Sequence, residues 1–301
     1  MPTAMALDVD AAAGWSAWPA PAKLNLALRI VGRRADGYHL LQTVFQLLEW
    51  GDTVHLRVRG DRRIQRVAGP ADVPADSDLA VRAALALQED CGCDLGADIA
   101  IEKRIPLGSG LGGGSSDAAT VLRALDLLWD CRSGEDRLAA LGLGLGADVP
   151  VFVRGRNAVA EGVGELLTPV DLPLVWYVIV HAGVGVPTAA LFQAPELTRD
   201  AAPETIARLG SGAVRGNAFE PVVRARYPEV ASALDWLSGF GAAHLSGSGA
   251  CIFTEVQDRD TAERIARACP APWMAWIARG AARSTLLAAL DSFQRWGVAK
   301  W

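Results

Sequence analysis

Pro106-Leu-Gly-Ser-Gly-Leu-Gly-Gly-Gly-Ser-Ser116 carries five glycines between residues 108 and 114. Glycine lets the backbone take positive φ and lets a ligand approach with no Cβ in the way. Directly after it, Ala118, Ala119, Val121, Leu122, Leu125, Leu128 and Trp129 recur at helical spacing. The pattern predicts an amphipathic helix that starts at the loop, with Ser115 or Ser116 as its cap. The first turn of a helix offers unpaired N–H groups and the positive end of the dipole. A glycine loop feeding a helix start is therefore a site for a polyphosphate. The two serine hydroxyls are placed to reach phosphate or a phosphate-bound Mg²⁺.

Two familiar phosphate loops fit this stretch poorly. Gly113 is followed by Gly114, so the Gly-Lys-Ser/Thr ending of a P-loop is missing. Gly108, Gly110 and Gly113 do match GxGxxG. A dinucleotide fold, however, wants an acidic residue at a strand end about 20 residues on. That region here is Trp129-Asp-Cys-Arg-Ser-Gly-Glu-Asp136, a helix end and a turn. Pro106 also interrupts the entry from strand to loop. A dinucleotide-dependent oxidoreductase is thus the second reading.

Outward from the loop, Ser77 to Gln88 reads as a helix and Asp98 to Lys103 as a short strand. Ala22 to Val31 alternates, with Leu24, Leu26, Leu28 and Ile30 on one face and Lys23, Asn25 and Arg29 on the other, as a half-buried strand does. Val54, Leu56 and Val58 share a face of a second strand over 52–59. Downstream, a helix over 135–141 leads to a second glycine-spaced turn, Gly142 to Asp148. Leu174 to His181 is a continuous apolar strand expected to be buried on both faces. Helices follow around 203–209, 228–239, 260–268 and 284–291, with strands at 250–255 and 273–279. Helices mixed with antiparallel-looking strands indicate α+β rather than a repeating βαβ sheet. Leu167 to Pro173 has linker composition. It divides the chain into an extension over 1–17, a first domain over 18–172 and a second over 173–301.

Of the 301 residues, 51% are hydrophobic and 21% charged, which fits a folded chain with a large core. The net charge of -5 gives no bulk attraction for nucleic acid or an anionic membrane. No apolar run reaches the roughly 18 residues of a spanning helix. The first 19 residues hold no Lys or Arg and carry Asp8 and Asp10, unlike a secretory signal. Five cysteines without a CxxC pair read as reduced thiols of a cytoplasmic protein. The four histidines show no metal-ligand spacing, so no protein-built metal site is expected.

Five segments occur in order: Pro21-Ala-Lys-Leu-Asn-Leu26, Arg34-Ala-Asp-Gly-Tyr-His39, the loop over 106–116, Gly146-Ala-Asp-Val-Pro-Val-Phe152 and Leu245-Ser-Gly-Ser-Gly-Ala250. Through them the chain resembles the GHMP kinases, over residues from about 18 to about 290. The first two segments narrow the likeness to the branch acting on a cytidine-diphosphate-linked methylerythritol, in the non-mevalonate route to isopentenyl diphosphate. Homoserine, mevalonate and galactose kinases are the alternatives within the superfamily.

The resemblance implies a two-lobed fold with an N-terminal ribosomal-protein-like lobe, a C-terminal ferredoxin-like lobe and the active site in the cleft between. It implies transfer of the ATP γ-phosphoryl group to the substrate 2-hydroxyl, with Mg²⁺ bound through the nucleotide. By the same likeness Lys23 and Asp148 are the catalytic pair. Pro106, Leu107, Gly108, Ser109, Gly110, Leu111, Gly112, Gly113, Gly114, Ser115 and Ser116 hold the triphosphate. Asn25, Tyr38 and His39 face the substrate, Tyr38 and Phe192 sandwich its cytosine, His39 bonds the base edge, and Thr188 lies nearby. Ser246-Gly-Ser-Gly249 sits beside the site. Ser109 stands where the family usually has Ala or Gly, and Asp117 where some members have Asn. A carboxylate there would repel the triphosphate unless turned away, so Asp117 is left outside the site.

The residue chemistry agrees with that assignment. Phosphoryl transfer is catalysed mainly by positioning and charge stabilisation. A carboxylate that accepts the hydroxyl proton contributes about 10²–10⁴ in rate, and an ammonium stabilises the developing oxygen charge. On pattern alone, Lys23 and Asn25 read as a solvated strand face, Asp148 as a cap before Pro150, and Tyr38 and Phe192 as ordinary packing. Trp273, Trp276, Trp296 and Trp301 add apolar surface, so the chain is expected to be a monomer or a weak homodimer.

Overall fold

The strand expected from Ala22 begins earlier and runs further. In the computed structural model, which describes residues 14–296, β1 spans Trp15–Arg33 and pairs antiparallel with β2, His39–Arg59. Trp15, Ser16 and Ala17 lie opposite Arg57, Leu56 and His55, so these three residues of the expected extension belong to the sheet. Pro19 and Pro21 hide this from the sequence because proline cannot donate to a ladder and is confined to edges and bulges. A register shift between Pro21 and Lys23 absorbs the break. Residues 1–13 lie outside the described residues.

The first half continues with β3 Ile64–Ala68, α1 Leu79–Cys91, β4 Gly96–Glu102, α2 Gly113–Leu128, α3 Glu135–Leu145, α4 Val149–Arg154, β5 Ala158–Glu161 and β6 Leu166–Pro169. Asp78 starts α1 by accepting from the Ala80 amide. The glycine-spaced turn expected from Gly142 shrinks to residues 146–148, since α3 runs through Gly142 and Gly144. Gly142 is needed there for close packing. A Cβ on it would sit 2.7 Å from the Val149 side chain of α4.

The second half holds β7 Trp176–His181, α5 Thr188–Phe192, α6 Ile206–Gly210, β8 Gly216–Asn217, α7 Glu220–Arg226, α8 Pro228–Ser238, β9 Ala243–Leu245, β10 Cys251–Val256, α9 Arg259–Arg267, β11 Met274–Arg279 and α10 Thr285–Trp296. The first sheet has the order β3-β4-β2-β1-β8, with β5 joining β2 to β6. The second has the order β11-β7-β10-β9 and is antiparallel throughout. The α+β class is what the structure shows. Two segments from beyond residue 172 nevertheless pack with the first half. β8 pairs parallel with β1, and Leu286, Leu287 and Leu290 of α10 enter the core formed by α1, α2 and the first sheet.

Three apolar clusters follow from this arrangement, and β1 contributes to all of them. Trp18 and Ala20 lie in the helical core of the first half. Leu24 and Leu26 join Tyr177, Ile179 and Phe253 where the two sheets meet. Leu28 and Ile30 pack with the helices of the second half. Three register shifts along β1 allow one strand to serve different neighbours. Two of the tryptophans singled out near the C-terminus find partners inside the chain. Trp276 packs on Trp50 at 5.7 Å and Trp273 on Trp236 at 5.9 Å. Trp301 lies outside the described residues.

Candidate active site

The glycine loop joins β4 to α2. Gly112 is the residue before the helix, at φ +76°, and no side chain caps the start. The expected serine cap is therefore replaced by a left-handed glycine. Ser115 and Ser116 fall within the first turn instead. Ser116 is fully buried and donates to the Pro21 carbonyl at 2.7 Å, so its hydroxyl ties α2 to β1 and cannot reach a phosphate. Ser115 faces the open side of the loop. Gly110, at φ +77°, packs so tightly that a Cβ would lie 2.2 Å from the Ser246 carbonyl. The loop is thereby fitted into the Ser246–Gly249 turn between β9 and β10. Cys251 N–H donates to the Ser109 carbonyl at 3.1 Å, and the Ser246 hydroxyl to the Gly110 carbonyl at 3.2 Å.

Lys23 projects from β1 beneath this loop. Its ammonium reaches Asn25 Oδ1 at 2.5 Å, the Gly110 carbonyl at 2.9 Å and Asp148 Oδ2 at 3.3 Å. Three donors thus meet three acceptors. Asn25 in turn donates to Thr43 Oγ1 at 2.8 Å. Lys23 and Asn25 are only 2% and 3% exposed, which rules out the solvated strand face that alternation alone suggests. Asp148 occupies the residue before α4, but its carboxylate makes no capping bond. Its side chain is a third exposed and turned to Lys23.

One cavity of about 1330 Å³ is bordered by the loop, Lys23, Asn25 and Asp148 at one end and by Tyr38, His39, Thr188 and Phe192 at the other. Among the expected site residues, Leu111 and Ser116 alone are turned into the protein instead. The volume exceeds the roughly 300–1,000 Å³ of an ordinary small-molecule site and suits two ligands at once. At the second end, His39 stacks on Phe192 with centroids 4.7 Å apart and planes 24° apart, while Phe219 meets Phe192 edge-on at 4.9 Å. The structure brings His39 to Phe192 and leaves Tyr38 65% exposed at the rim. Burial, then Arg199, then Arg33 hold the His39 imidazole below its ordinary pKa. The Thr188 and Ser248 hydroxyls share a hydrogen bond of 2.6 Å, linking α5 to the Ser246–Gly249 turn.

Asp117 is indeed turned away from the cavity. Lys103 Nζ lies 2.7 Å from its carboxylate and 2.5 Å from that of Asp52. Asp52 also accepts from the Arg104 and Ile105 amides at 2.5 and 2.8 Å, which fixes the start of the loop. Burial pushes Asp117 up to about 7 against the pull of Lys103, and the Asp52 charge adds to the rise. Burial also works against the Lys103 charge, but the two carboxylates more than offset it and its pKa is raised. Lys103 and Arg199 border the cavity and were not singled out from the sequence. Lysine is rare in this chain, which could have flagged Lys103, whereas Arg199 is one arginine among many.

A hard cation would find oxygen donors here. The Asp148 carboxylate is accessible, and the Ser115 hydroxyl lies 3.7 Å from where a Cβ on Gly146 would stand, beside the same 146–148 segment. These are ligand types that Mg²⁺ accepts alongside phosphate oxygens. Among the described residues there is no cluster of three or more His, Cys, Asp or Glu able to hold a metal alone, and no helix long and apolar enough to cross a membrane.

The GHMP kinases N terminal domain matches residues 78–156, and the GHMP kinases C terminal domain matches 196–273. A 4-diphosphocytidyl-2-C-methyl-D-erythritol kinase of Xanthomonas campestris pv. campestris is 58% identical over 97% of this chain and 99% of its own length. The chain belongs to this kinase family, within the GHMP superfamily. A solved structure of a 4-(cytidine 5'-diphospho)-2C-methyl-D-erythritol kinase superposes with a TM-score of 0.74 at 37% identity, over 88% of this chain and 98% of that one. A homoserine kinase from Cytophaga hutchinsonii, at 18% identity and a TM-score of 0.67 over 92% and 98%, shares the fold. GHMP membership also removes the dinucleotide reading. β3 and β4 pair parallel through α1, but after β4 and the glycine loop the chain leaves α2 for α3 rather than for a parallel neighbour of β4, so the loop is not the first turn of a βαβ unit.

Proposed function

We propose that the chain transfers the γ-phosphoryl group of ATP to the 2-hydroxyl of 4-diphosphocytidyl-2-C-methyl-D-erythritol, giving the 2-phosphate and ADP. The reaction belongs to the non-mevalonate route to isopentenyl diphosphate. The observation that carries the reading is the 3.3 Å meeting of Lys23 and Asp148, from β1 and the start of α4, on a cavity that also borders the glycine loop and the His39–Phe192 pair.

The main-chain amides of 106–115 and the first turn of α2 receive the triphosphate. Ser115 and Asp148 would hold a Mg²⁺ carried by the nucleotide, and the ion would supply charge neutralisation of the phosphate oxygens. Asp148 accepts the proton as the acceptor O–H bond breaks and the new P–O bond forms, while ADP leaves. Lys23 holds Asp148 in place and balances negative charge as it builds on the transferring group. Asn25 orients the Lys23 ammonium. Tyr38, Phe192, His39 and Thr188 hold the cytidyl end. Tyr38 approaches Phe192 from the rim when the base arrives.

A coupled ADP-release assay tests this. The cytidyl substrate is compared with homoserine, mevalonate and galactose, with Mg²⁺ present and then chelated. Selective, Mg²⁺-dependent turnover of the cytidyl substrate is expected. Preferred turnover of an acceptor without cytidine would overturn the assignment.

A further inference from the structure

Arg199 lies in the segment after α5, and its guanidinium serves four acceptors. Nη1 donates to the Leu197 carbonyl at 2.9 Å, and Nη2 to the Phe192 and Ala194 carbonyls at 2.9 and 2.7 Å. Nε donates to His39 Nε2 at 3.2 Å. A guanidinium is planar, permanently charged and has no acceptor. The three carbonyl bonds therefore fix its plane to the end of α5, where Phe192 is the last residue. The fourth bond reaches an imidazole that comes from a different element, the first residue of β2. That nitrogen must offer a lone pair, so the ring is neutral and its proton sits on Nδ1. The same contact sets the ring nearly flat on Phe192.

We propose that Arg199 is a positioning residue of the cytidyl subsite, locking His39 as the neutral Nδ1–H tautomer against Phe192 so that the ring offers the base a fixed donor. The proposal rests on the functional reading above. It gives the subsite one hydrogen-bond polarity, and a site built for a particular donor–acceptor pattern rejects bases that leave its polar groups unpaired. The charged groups facing the ring are Arg199 and, from the end of β1, Arg33; both oppose an imidazolium, as burial does. Asp36, in the turn before His39, is paired with Arg34 at 2.8 Å, and His39 has no carboxylate partner among the described residues. Removing Arg199 thus removes both the lock on the tautomer and part of the barrier to protonation.

The test uses Arg199→Met and Arg199→Lys in the full chain. Arg199→Met should raise KM for the cytidyl substrate by about 10- to 100-fold, the scale of one lost charged hydrogen bond. The KM for ATP and kcat should change less than about threefold. Its cytidyl KM should gain a dependence on a group titrating higher than in the parent but still below the ordinary histidine value, because burial and Arg33 remain. Arg199→Lys keeps the charge and loses the fork, so it should show the KM defect with a weaker pH dependence. Imidazole ¹⁵N shifts in the unliganded protein should report Nδ1–H for His39 in the parent and mixed tautomers with a higher pKa in Arg199→Met. Equal rises in both KM values, or loss of thermal stability with the His39 shifts unchanged, would make Arg199 merely structural and overturn the proposal. The NMR measurements need no turnover, so absence of cytidyl kinase activity in the parent would sink the functional reading separately.

Discussion

The two ends of the cavity are made of different material. At the end proposed for phosphate the recognition groups are main-chain amides, and at Gly110 a side chain is excluded because the loop lies against a turn from the other sheet. Gly110 shows the constraint, since any Cβ would strike the Ser246 carbonyl. At the end proposed for the base the groups are side chains from separate segments: Tyr38 and His39 before and at the start of β2, Phe192 at the end of α5, and Arg199 beyond it. Lys23 and Asp148 border the same cavity as both. A backbone site tolerates almost no added atoms but is indifferent to the rest of the fold's side chains. A side-chain site depends on how distant segments are held together. Substitutions at the two ends should therefore affect different substrates, and substitutions between them should affect neither affinity strongly.

The largest effect is expected between the ends. Asp148→Asn keeps the shape and loses the proton acceptor, so kcat should fall by about 10²- to 10⁴-fold. Lys23→Ala should fall comparably, because it removes the cation at the developing charge. Steady-state kinetics with each substrate varied in turn should show both KM values within a few-fold of the parent. A defect confined to one KM would mean that the pair belongs to one end and that the division proposed here is wrong.

At the phosphate end, Gly110→Ala must place a Cβ at positive φ and against a carbonyl. Strain of this kind costs about 1–3 kcal/mol. The KM for ATP should rise by about 10- to 100-fold while the cytidyl KM moves less than threefold, with melting a few degrees lower by calorimetry. At the base end, Phe192→Ala should do the reverse. Aromatic stacking on a base is worth about 1–3 kcal/mol, so the cytidyl KM should rise about tenfold or more and the ATP KM should hold. If Gly110→Ala and Phe192→Ala damaged the same KM, the two ends would not be independent.

The same contrast explains what the sequence made legible. The glycine loop and α2 were readable because their requirement is local: positive φ, close approach and a helix start within a dozen residues. The α+β class followed from strand alternation and helix periodicity. The length of β1 was hidden by Pro19 and Pro21, whose cost is absorbed by a register shift that only pairing with β2 reveals. Burial of Lys23 and Asn25 was opposite to what alternation suggests, since the glycine loop lies over Lys23 and the Ser246–Gly249 turn over Asn25, both far along the chain. Ser116 read as a cap and a phosphate ligand, but its hydroxyl belongs to the contact with Pro21. Asp148 and Tyr38 could be named only through likeness to a family. Arg199 left no mark at all, because nothing local distinguishes an arginine that holds a histidine from one that faces water.

The smallest effect should come from beneath the phosphate end, where Asp52 and Asp117 share the single ammonium of Lys103. One carboxylate would suffice to pair it, and Asp117 Oδ1 has no hydrogen-bond partner. Burial raises Asp117 to about 7, whereas an unfolded chain titrates aspartate near 3.9. A group whose folded pKa lies above its unfolded value binds a proton on folding. Its contribution to stability is complete below about pH 4 and is lost as pH rises through about 7. Asn at 117 carries no charge at any of these values. The difference in melting temperature between Asp117→Asn and the parent should therefore shift in favour of the variant from pH 5 to pH 8, by a few degrees at most. Titrations of groups that do not face Asp117 cancel in that difference, so its slope reports Asp117 together with the Lys103–Asp52 pair it contacts. A variant that is less stable by the same amount at every pH would show that Lys103 needs both carboxylates. In that case the phosphate end also depends on side chains held together across the fold, and the contrast with the base end narrows.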